Sequence, residues 1–523
     1  MIALINTPCL KNFSGIQPAM TANPPLGLAY IAAALKEAGC VYHVIDGAGL
    51  ALDQIRPYQG PENSPELEFD NLKIQGLLPQ EIADRVPAET EIIGVSCMFS
   101  ITWPISRDIA RHLRARFPDA LLVLGSEHGT AFPDYSLEVS DFDVVVLGEG
   151  EEIFVNLVKA RAAGRPLDEV SGIVFKKDGS IINNGAAARI RNVDQIPLPD
   201  WDSFPIREYI DRQQNNGVNL GRSIPILATR GCPYRCTFCS NPNMWTTRYI
   251  PREPKLVVDE MEAYTREYNV TNFDFQDLTA IVNRRWAISF CQELIDRGLD
   301  ITWQMPSGTR SEVFDEEVAD YLYRSGCRFL AFAPESASLE VLLAVQKQVD
   351  LDNLLKATRI VLRRGLKLTC FFVIGFPVDR PDTIRQTMRF IRRLAVLGVH
   401  DVVVSKFTPY PGSALFQEML EKGKIEPSDS FFLASVNYYT KRGISYCDEV
   451  SSKELYWTMI WMFLNFYLLS FALRPWRVFG AFWSFGTKGI EETRYAKWLV
   501  DRFFTRQKWR RLENPQDQLT PQG

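Results

Sequence analysis

Cysteine is sparse and irregularly placed in this chain: ten thiols in 523 residues, with no repeating spacing, exclude a disulfide framework and point to a reducing, cytoplasmic compartment. The opening MIALINTPCL has no basic segment followed by a long apolar stretch and a small-residue cleavage site, so no secretory leader is expected and the start reads as a strand. With a net charge of −5 the chain has no general cationic surface, which argues against nucleic acid as a partner. No G-x-G-x-x-G follows the first strand, so the dinucleotide fingerprint is missing, and no repeat of solenoid period is present. What is there is ordinary globular protein, 46% hydrophobic and 23% charged, enough for roughly two to four domains with cores of their own.

Residues 1–150 alternate short β-branched runs (MIALINTP, YHVIDG, EIIGVSCMF, ALLVLGS, DVVVLGEG) with helical patterns such as GLAYIAAALKEAG and ISRDIARHLRARFP. Strands bounded by glycine and separated by amphipathic helices predict a doubly wound parallel sheet, an α/β fold. Residues 151–220 read as a helix, a hairpin turning at Asp178-Gly179, and a proline-containing linker, IPLPDWDSFP. Between 221 and 430 six further strand-like runs (IPILATRG, NFDFQDLT, ITWQMPSGTR, FLAFAPES, LTCFFVIGFP, DVVVSKFTPYPG) are spaced by helical segments. They predict a partial (β/α)6 barrel of the TIM type, in which the loops after the strands carry the chemistry. Residues 431–523 read as a helical region rich in aromatic and basic residues.

Within that last region 455–473 has no charge across nineteen residues, a length that could just span a bilayer. Its aromatics lie all round the helix, which favours a buried helix or a lid over a greasy substrate, ahead of attachment to a membrane surface and then of true spanning. From Arg474 to Arg511 ten Lys or Arg stand against three acids. With Tyr495, Trp498, Leu499 and Phe503 at helical spacing, this stretch suits either an anionic membrane surface or a solvated helix packed on the barrel by its apolar stripe.

Three cysteines, Cys232, Cys236 and Cys239, stand in RGCPYRCTFCSNP (230–242), directly after the first barrel strand. A closed zinc site takes four ligands, usually as two short pairs; here a second pair is missing, and Cys327 or Cys370 would have to complete the set. Three thiols can also be small core residues. An iron–sulfur cube held by three thiolates, in contrast, leaves one iron without a protein ligand and open to a small molecule. Gly231 and Pro233 suit a tight loop around such a cluster, one by permitting close backbone approach and the other by fixing a dihedral.

The C-x3-C-x2-C pattern at the end of a first barrel strand closely resembles that of the radical S-adenosylmethionine (radical SAM) enzymes. The resemblance implies a [4Fe-4S] cluster on Cys232, Cys236 and Cys239, the three catalytic and metal-binding residues, with S-adenosylmethionine chelated to the open iron and cleaved to a 5′-deoxyadenosyl radical. FDFQDLTAIVNRR (273–285), APESAS (333–338), FFVIGFP (371–377) and FTPYPGS (407–413) look like the later barrel segments of the cobalamin-binding branch of this family. Carried over residue by residue, Phe238 would lie against the adenine, Gln276 and Asp277 near the methionine end, Glu335 near the ribose, and Ile374 and Gly375 beneath the adenine. Many relatives have two acids where this chain reads Gln276-Asp277. Phe238 could equally be core packing, and Asp277 and Glu335 could be helix caps or ion-pair partners.

In the front domain NPPLGLAYIAAAL, GVSCMFS, VLGSEHGTAFP and VVLGEGEE resemble the cobalamin-binding domain found ahead of such barrels, which would then be a Rossmann-like domain with its ligand beyond the strand ends. Ser96, Gly125, Ser126, Gly148, Glu149 and Gly150 are the residues placed near the corrin or its tail, although Gly125 and Gly148 could be plain strand-end turns. Cobalamin domains that ligate cobalt through histidine carry Asp-x-His-x-x-Gly after the first strand. The corresponding loop here, TPCLKNFSGIQPAMTA, has no histidine, so the resemblance implies a cobalt with no histidine beneath it, a state suited to giving up a methyl group. His43 and His128 lie outside that loop and read as surface or hydrogen-bonding residues.

The expectation is a cobalamin-dependent radical SAM methyltransferase acting on an unactivated carbon of a hydrophobic small molecule of lipid, tetrapyrrole or polyketide type. An electron donor such as ferredoxin or flavodoxin would serve it, and peripheral contact with the inner face of the membrane is open to it. Tyrosines and cysteines at the barrel mouth, Cys327 among them, are chemical candidates for quenching a radical. An oxidative cyclase of the anaerobic magnesium-protoporphyrin ester type shares the architecture, and a non-catalytic cobalamin or iron–sulfur sensor is the rival of another class.

Overall fold

The glycine-bounded apolar runs fold into two sheets, one mainly and one wholly parallel, joined through their loops. The computed structural model describes residues 1–12, 22–58, 72–435, 439–441, 443–480 and 490–500. Ten strands precede the linker: β1 (Ile2–Asn6), β2 (Cys9–Asn12), β3 (Tyr42–Asp46), β4 (Ile55–Pro57), β5 (Leu72–Gln75), β6 (Ile92–Ser96), β7 (Leu121–Gly125), β8 (Val144–Val146), β9 (Ile173–Lys177) and β10 (Ser180–Asn183). Seven of them form a sheet in the order β10-β9-β8-β7-β6-β1-β3, while β2, β5 and β4 make a small antiparallel sheet beside it. Strand order reverses between β1 and β6, the point at which doubly wound sheets take ligands.

The hairpin expected at Asp178-Gly179 is present. Both residues have positive φ (50° and 78°), the conformation of a type I′ turn. Its strands β9 and β10 add antiparallel to the edge of the front sheet, so this segment is continuous with the domain ahead of it.

The second sheet follows the linker with β11 (Ser223–Ile226), a two-stranded ribbon of β12 (Thr229–Arg230) and β13 (Ile250–Pro251), then β14 (Asn272–Phe275), β15 (Thr302–Thr309), β16 (Cys327–Glu335), β17 (Lys367–Ile374) and β18 (Asp401–Lys406). Its six strands run parallel in the order β11-β14-β15-β16-β17-β18, each separated from the next by helix as the alternating pattern requires. Helix ends carry the expected local chemistry: the Asp350 carboxylate accepts from the backbone N–H groups of Asp352 and Asn353 at 2.9 and 3.0 Å, and left-handed Gly298 and Gly398 stop the helices they follow. Between barrel and helices Trp303 is buried against Phe275 and Phe290, its indole N–H reaching Ser325 O at 3.1 Å, which satisfies the one polar atom such a side chain brings inside.

Six strands do not close a barrel, and the C-terminal segment fills the gap between β18 and β11. Glu491 bridges to Asn219 just ahead of β11, while Asp401, the first residue of β18, accepts from the backbone N–H groups of Arg494 and Tyr495 at 2.8 and 3.2 Å. Lys497 Nζ donates to Gly217 O at 2.8 Å. Phe503 and the basic residues beyond 500 lie outside the described residues.

The uncharged stretch 455–473 lies within the helix Ser452–Leu473. It is neither wholly buried nor free: Leu455, Met459, Met462, Phe466 and Ser470 are buried, one turn apart on one face, and the helix packs along the helix Pro381–Leu397 and β18.

Candidate active site at the junction of the two sheets

The three-cysteine loop is held from three sides. Its base is the β12–β13 ribbon, where Gly231 has φ +82° and any Cβ would come within 2.2 Å of Arg248 O; only glycine fits. Midway, Thr237 N donates to Val345 O at 3.0 Å and Thr237 O accepts from Leu415 N at 2.8 Å, while Cys239 N donates to Cys236 O at 3.1 Å. Cys232, Cys236 and Cys239 remain partly exposed. Burial holds all three thiols above their ordinary range, Cys239 to about 12, with Lys347 and Arg310 pulling Cys232 and Cys236 back down. Loading metal on this loop therefore requires displacing protons.

These residues fit a cluster better than a single ion. Among the described residues no three His, Cys, Asp or Glu side chains draw close enough to hold one metal ion, and neither cysteine that could have completed a zinc set is available. Cys327 is fully buried at the first residue of β16, the end away from Glu335, and Cys370 is fully buried within β17. For the same reason Cys327 does not lie at the barrel mouth and cannot quench a radical there.

The rim carries the other residues expected to meet S-adenosylmethionine. Glu335 ends β16 with φ +66°, an unfavourable backbone for a residue with a side chain and one that clusters at ligand sites. Its Oε1 accepts from Lys347 Nζ at 3.2 Å, and Lys347 stands 5.9 Å from the centroid of the Phe238 ring. Phe238 also contacts Phe376 (centroids 5.5 Å apart). Ile374 ends β17, and the next residue, Gly375, has φ +84° and donates its N–H to Asp379 Oδ2 at 2.9 Å. Gln276 and Asp277 follow β14. The Asp277 carboxylate is occupied, accepting from Thr229 Oγ1 at 2.6 Å and from Ala228 N at 3.3 Å, so it ties β14 to the strand that leads into the cysteine loop.

On the front sheet Ser96 and Gly125 are register partners at the ends of β6 and β7. Ser126 follows with φ +76°, its hydroxyl 2.8 Å from that of Ser96. Nothing lies within 4 Å of where a Gly125 Cβ would project, and Gly148, with φ +73°, donates its N–H to Thr130 Oγ1 at 3.0 Å. Gly150 is close-packed, since a Cβ there would meet Ile31 Cδ1 at 2.9 Å. Of its two readings His128 takes the hydrogen-bonding one: it is fully buried, stacked on Trp103 with centroids 4.5 Å apart, and its Nδ1 is hydrogen-bonded to Ser100 Oγ at 2.9 Å. Burial lowers its pKa to about 3. Residues 13–21, most of the loop that lacks a histidine, lie outside the described residues.

The two sets of loops meet. The Glu127 carboxyl, raised by burial, lies beside Ser240, the residue after Cys239, and Asn243 Nδ2 donates to Thr130 O at 3.2 Å. Among the described residues Glu127 Oε1, Thr237 Oγ1 and both side-chain polar atoms of Asn241 are buried without a partner at this junction. Unpartnered buried polar groups are costly, and their concentration between the Gly125 opening and the cysteine loop is what a polar ligand shared by the two domains would satisfy.

An ion-pair network fastens the junction. Arg230, next to Gly231, donates to Glu149 Oε1 at 3.1 Å and Glu151 Oε1 at 2.5 Å with only 4% of its side chain exposed. Glu149 Oε2 also accepts from Arg189 Nε at 2.6 Å and Ile190 N at 3.0 Å. Glu149 is thus a clamp between the base of the cysteine loop and the segment that follows β10, its two oxygens already engaged. Sequence reasoning missed Arg230, Arg310 and Lys347. The position of Arg310 at the end of a barrel strand (QMPSGTR) was a usable signal; the pairing of Arg230 with a loop eighty residues earlier had none.

Two family models match the chain: B12 binding domain over residues 19–158 and Radical SAM superfamily over 226–391. Three thiols at the first strand end of a parallel barrel, opposed by the ligand edge of a doubly wound sheet, define the class: this is a cobalamin-binding radical SAM enzyme, and its two matched domains call for a [4Fe-4S] cluster, S-adenosylmethionine and cobalamin. The chain is 29% identical over 401 residues to an uncharacterized methyltransferase of Pyrococcus horikoshii, covering 76% of this chain and 78% of that protein. It is 31% identical over 410 residues to the anaerobic magnesium-protoporphyrin IX monomethyl ester cyclase of Cereibacter sphaeroides, covering 77% of this chain but only 61% of that protein's length. The solved radical S-adenosylmethionine methyltransferase TsrM of Kitasatospora setae, which has cobalamin and a [4Fe-4S] cluster bound, superposes with a TM-score of 0.61 at 18% identity over 80% of this chain and 78% of that one.

Proposed function

We propose that the protein transfers a methyl group to an unactivated carbon of a hydrophobic small molecule, with a tetrapyrrole as the leading class. The observation that carries this reading is the junction itself: the segment after the cysteine loop meets the front-sheet loops, Asn243 Nδ2 donating to Thr130 O at 3.2 Å and Ser240 lying beside Glu127. The tetrapyrrole preference rests on the cyclase relative, whose name specifies magnesium-protoporphyrin IX monomethyl ester. When bound, the cluster with S-adenosylmethionine supplies a radical able to remove hydrogen from carbon, and cobalamin supplies the methyl group. The chain's own part is positioning and exclusion of water. Cys232, Cys236 and Cys239 would hold the cluster. Arg310 and Lys347 offset its negative charge, Phe238, Glu335, Ile374 and Gly375 would line the nucleotide, and Ser96, Gly125, Ser126 and Gly148 would border the cobalamin. A small electron carrier such as ferredoxin or flavodoxin would reduce the cluster from the cytoplasm.

A second reading, oxidative cyclisation, is favoured by the same 31% identical relative. The test is anaerobic turnover of the reconstituted chain with S-adenosylmethionine, cobalamin, a low-potential reductant and candidate tetrapyrroles. Formation of 5′-deoxyadenosine with a product heavier by one methylene supports transfer; oxygen gained or hydrogens lost supports the cyclase. Cys236→Ala should abolish 5′-deoxyadenosine, whereas a non-catalytic sensor should make none even with all three cysteines intact.

A further inference from the structure

We propose that the outer face of the helix Ser452–Leu473 is a docking surface for an anionic lipid bilayer, on which the enzyme lies with its barrel wall against the headgroups. The helix has two opposite apolar faces. At 100° per residue, Leu455, Met459, Met462, Phe466 and Ser470 fall on the side buried against the barrel. On the other side Trp457, Trp461, Leu464 and Leu468 are 46–64% exposed. Past the helix end, Trp476 and Phe479 extend the exposed apolar surface. A contiguous stripe of this kind costs free energy in water and marks an interaction site. The buried face seats the helix lengthwise along the barrel wall, an arrangement that suits lying on a bilayer better than spanning it.

Charge selects the bilayer as occupant. The neighbouring helix Pro381–Leu397 presents exposed Arg385, Arg389 and Arg393, and Arg392 donates to Asn465 Oδ1 at 2.9 Å on the flank of the stripe. With Lys453 the two helices carry five cations against Asp382 and Glu454. Lys441 stands 5.3 Å from the Trp457 ring. Tryptophan on the apolar line with arginine and lysine at its edge is the pattern of an interfacial helix on anionic lipid. The helix starts at the barrel mouth, where Leu455 Cδ1 would be 2.6 Å from a Cβ on Gly375, so a membrane along the stripe runs beside the opening a greasy substrate must enter.

The test is flotation of the full-length, anaerobically reconstituted chain with phosphatidylcholine vesicles and with vesicles containing phosphatidylglycerol. The chain should float with the anionic vesicles, and brominated lipid should quench its tryptophan emission. Replacing Trp457, Trp461, Leu464 and Leu468 together by Ser should abolish flotation and most quenching with the unfolding midpoint unchanged, since these side chains are outside the core. Arg385→Gln, Arg389→Gln and Arg393→Gln combined should weaken partitioning on the order of a hundredfold, at about fivefold per surface cation. No flotation on anionic vesicles, or flotation indifferent to the four-residue variant, overturns the proposal. So does a stable dimer by light scattering that dissociates in that variant, because the stripe would then seat a second copy of the chain.

Discussion

Asp277 shows what burial does to a single side chain. Its carboxylate is wholly enclosed and its pKa is raised to about 6, burial outweighing the hydrogen bonds from Thr229 and Ala228. The folded chain therefore holds a proton between pH 4 and 6 that the unfolded chain has released. Its contribution is fully present below the ordinary carboxylate range and is lost as pH rises through about 6. Asp277→Asn removes this titration, so the urea midpoint of the variant should fall less than that of the wild type between pH 4.5 and 7; equal slopes would mean that the group is ionised throughout. The residues legible in advance were those whose meaning is local. Three cysteines spaced four and three apart declare themselves within eight positions. Arg310 follows β15 and Lys347 lies in the connection between β16 and β17, beyond the helix Leu339–Ala344, yet both bear on the same thiols, and nothing in a single sequence says which loops will face each other.

At the scale of the element, the cysteine loop depends on one backbone position. Gly231→Ala would set a methyl group 2.2 Å from Arg248 O at φ +82°, and because the obstacle is backbone, the loop itself must shift. A cost of about 1–3 kcal/mol is typical of such strain, enough to spread the three thiols. The expected result is a sharp fall in iron and sulfide per chain after reconstitution with an unchanged far-ultraviolet circular dichroism spectrum. The same scale explains what could be read of the strands and what could not. Alternation of β-branched runs with amphipathic helices identified all six barrel strands, since each pattern is self-contained. The helix at 452–473 was harder because apolar residues all round it served two different faces, and only the position of the barrel wall tells them apart.

For the whole molecule, the junction between sheets is held by charge. Arg230→Met leaves Glu149 and Glu151 facing each other with their shared cation gone, in a site where the Arg230 side chain is 4% exposed. Breaking a buried pair of this kind costs about 3–5 kcal/mol. The variant should unfold at lower urea and lose cobalamin on gel filtration, measured by visible absorbance, with Arg230→Lys recovering part of both. Domain docking of this sort is invisible to sequence patterns, since Arg230 and Glu149 look like any surface pair until the fold brings them together. A different consequence attaches to the segment that closes the barrel between β18 and β11. Because Glu491, Arg494 and Lys497 seal a seam between strands laid down far earlier, the wall stays unzipped on the ribosome until translation has passed residue 497. Closure of the wall therefore waits on residues that follow every barrel strand, an order of assembly set by the chain itself.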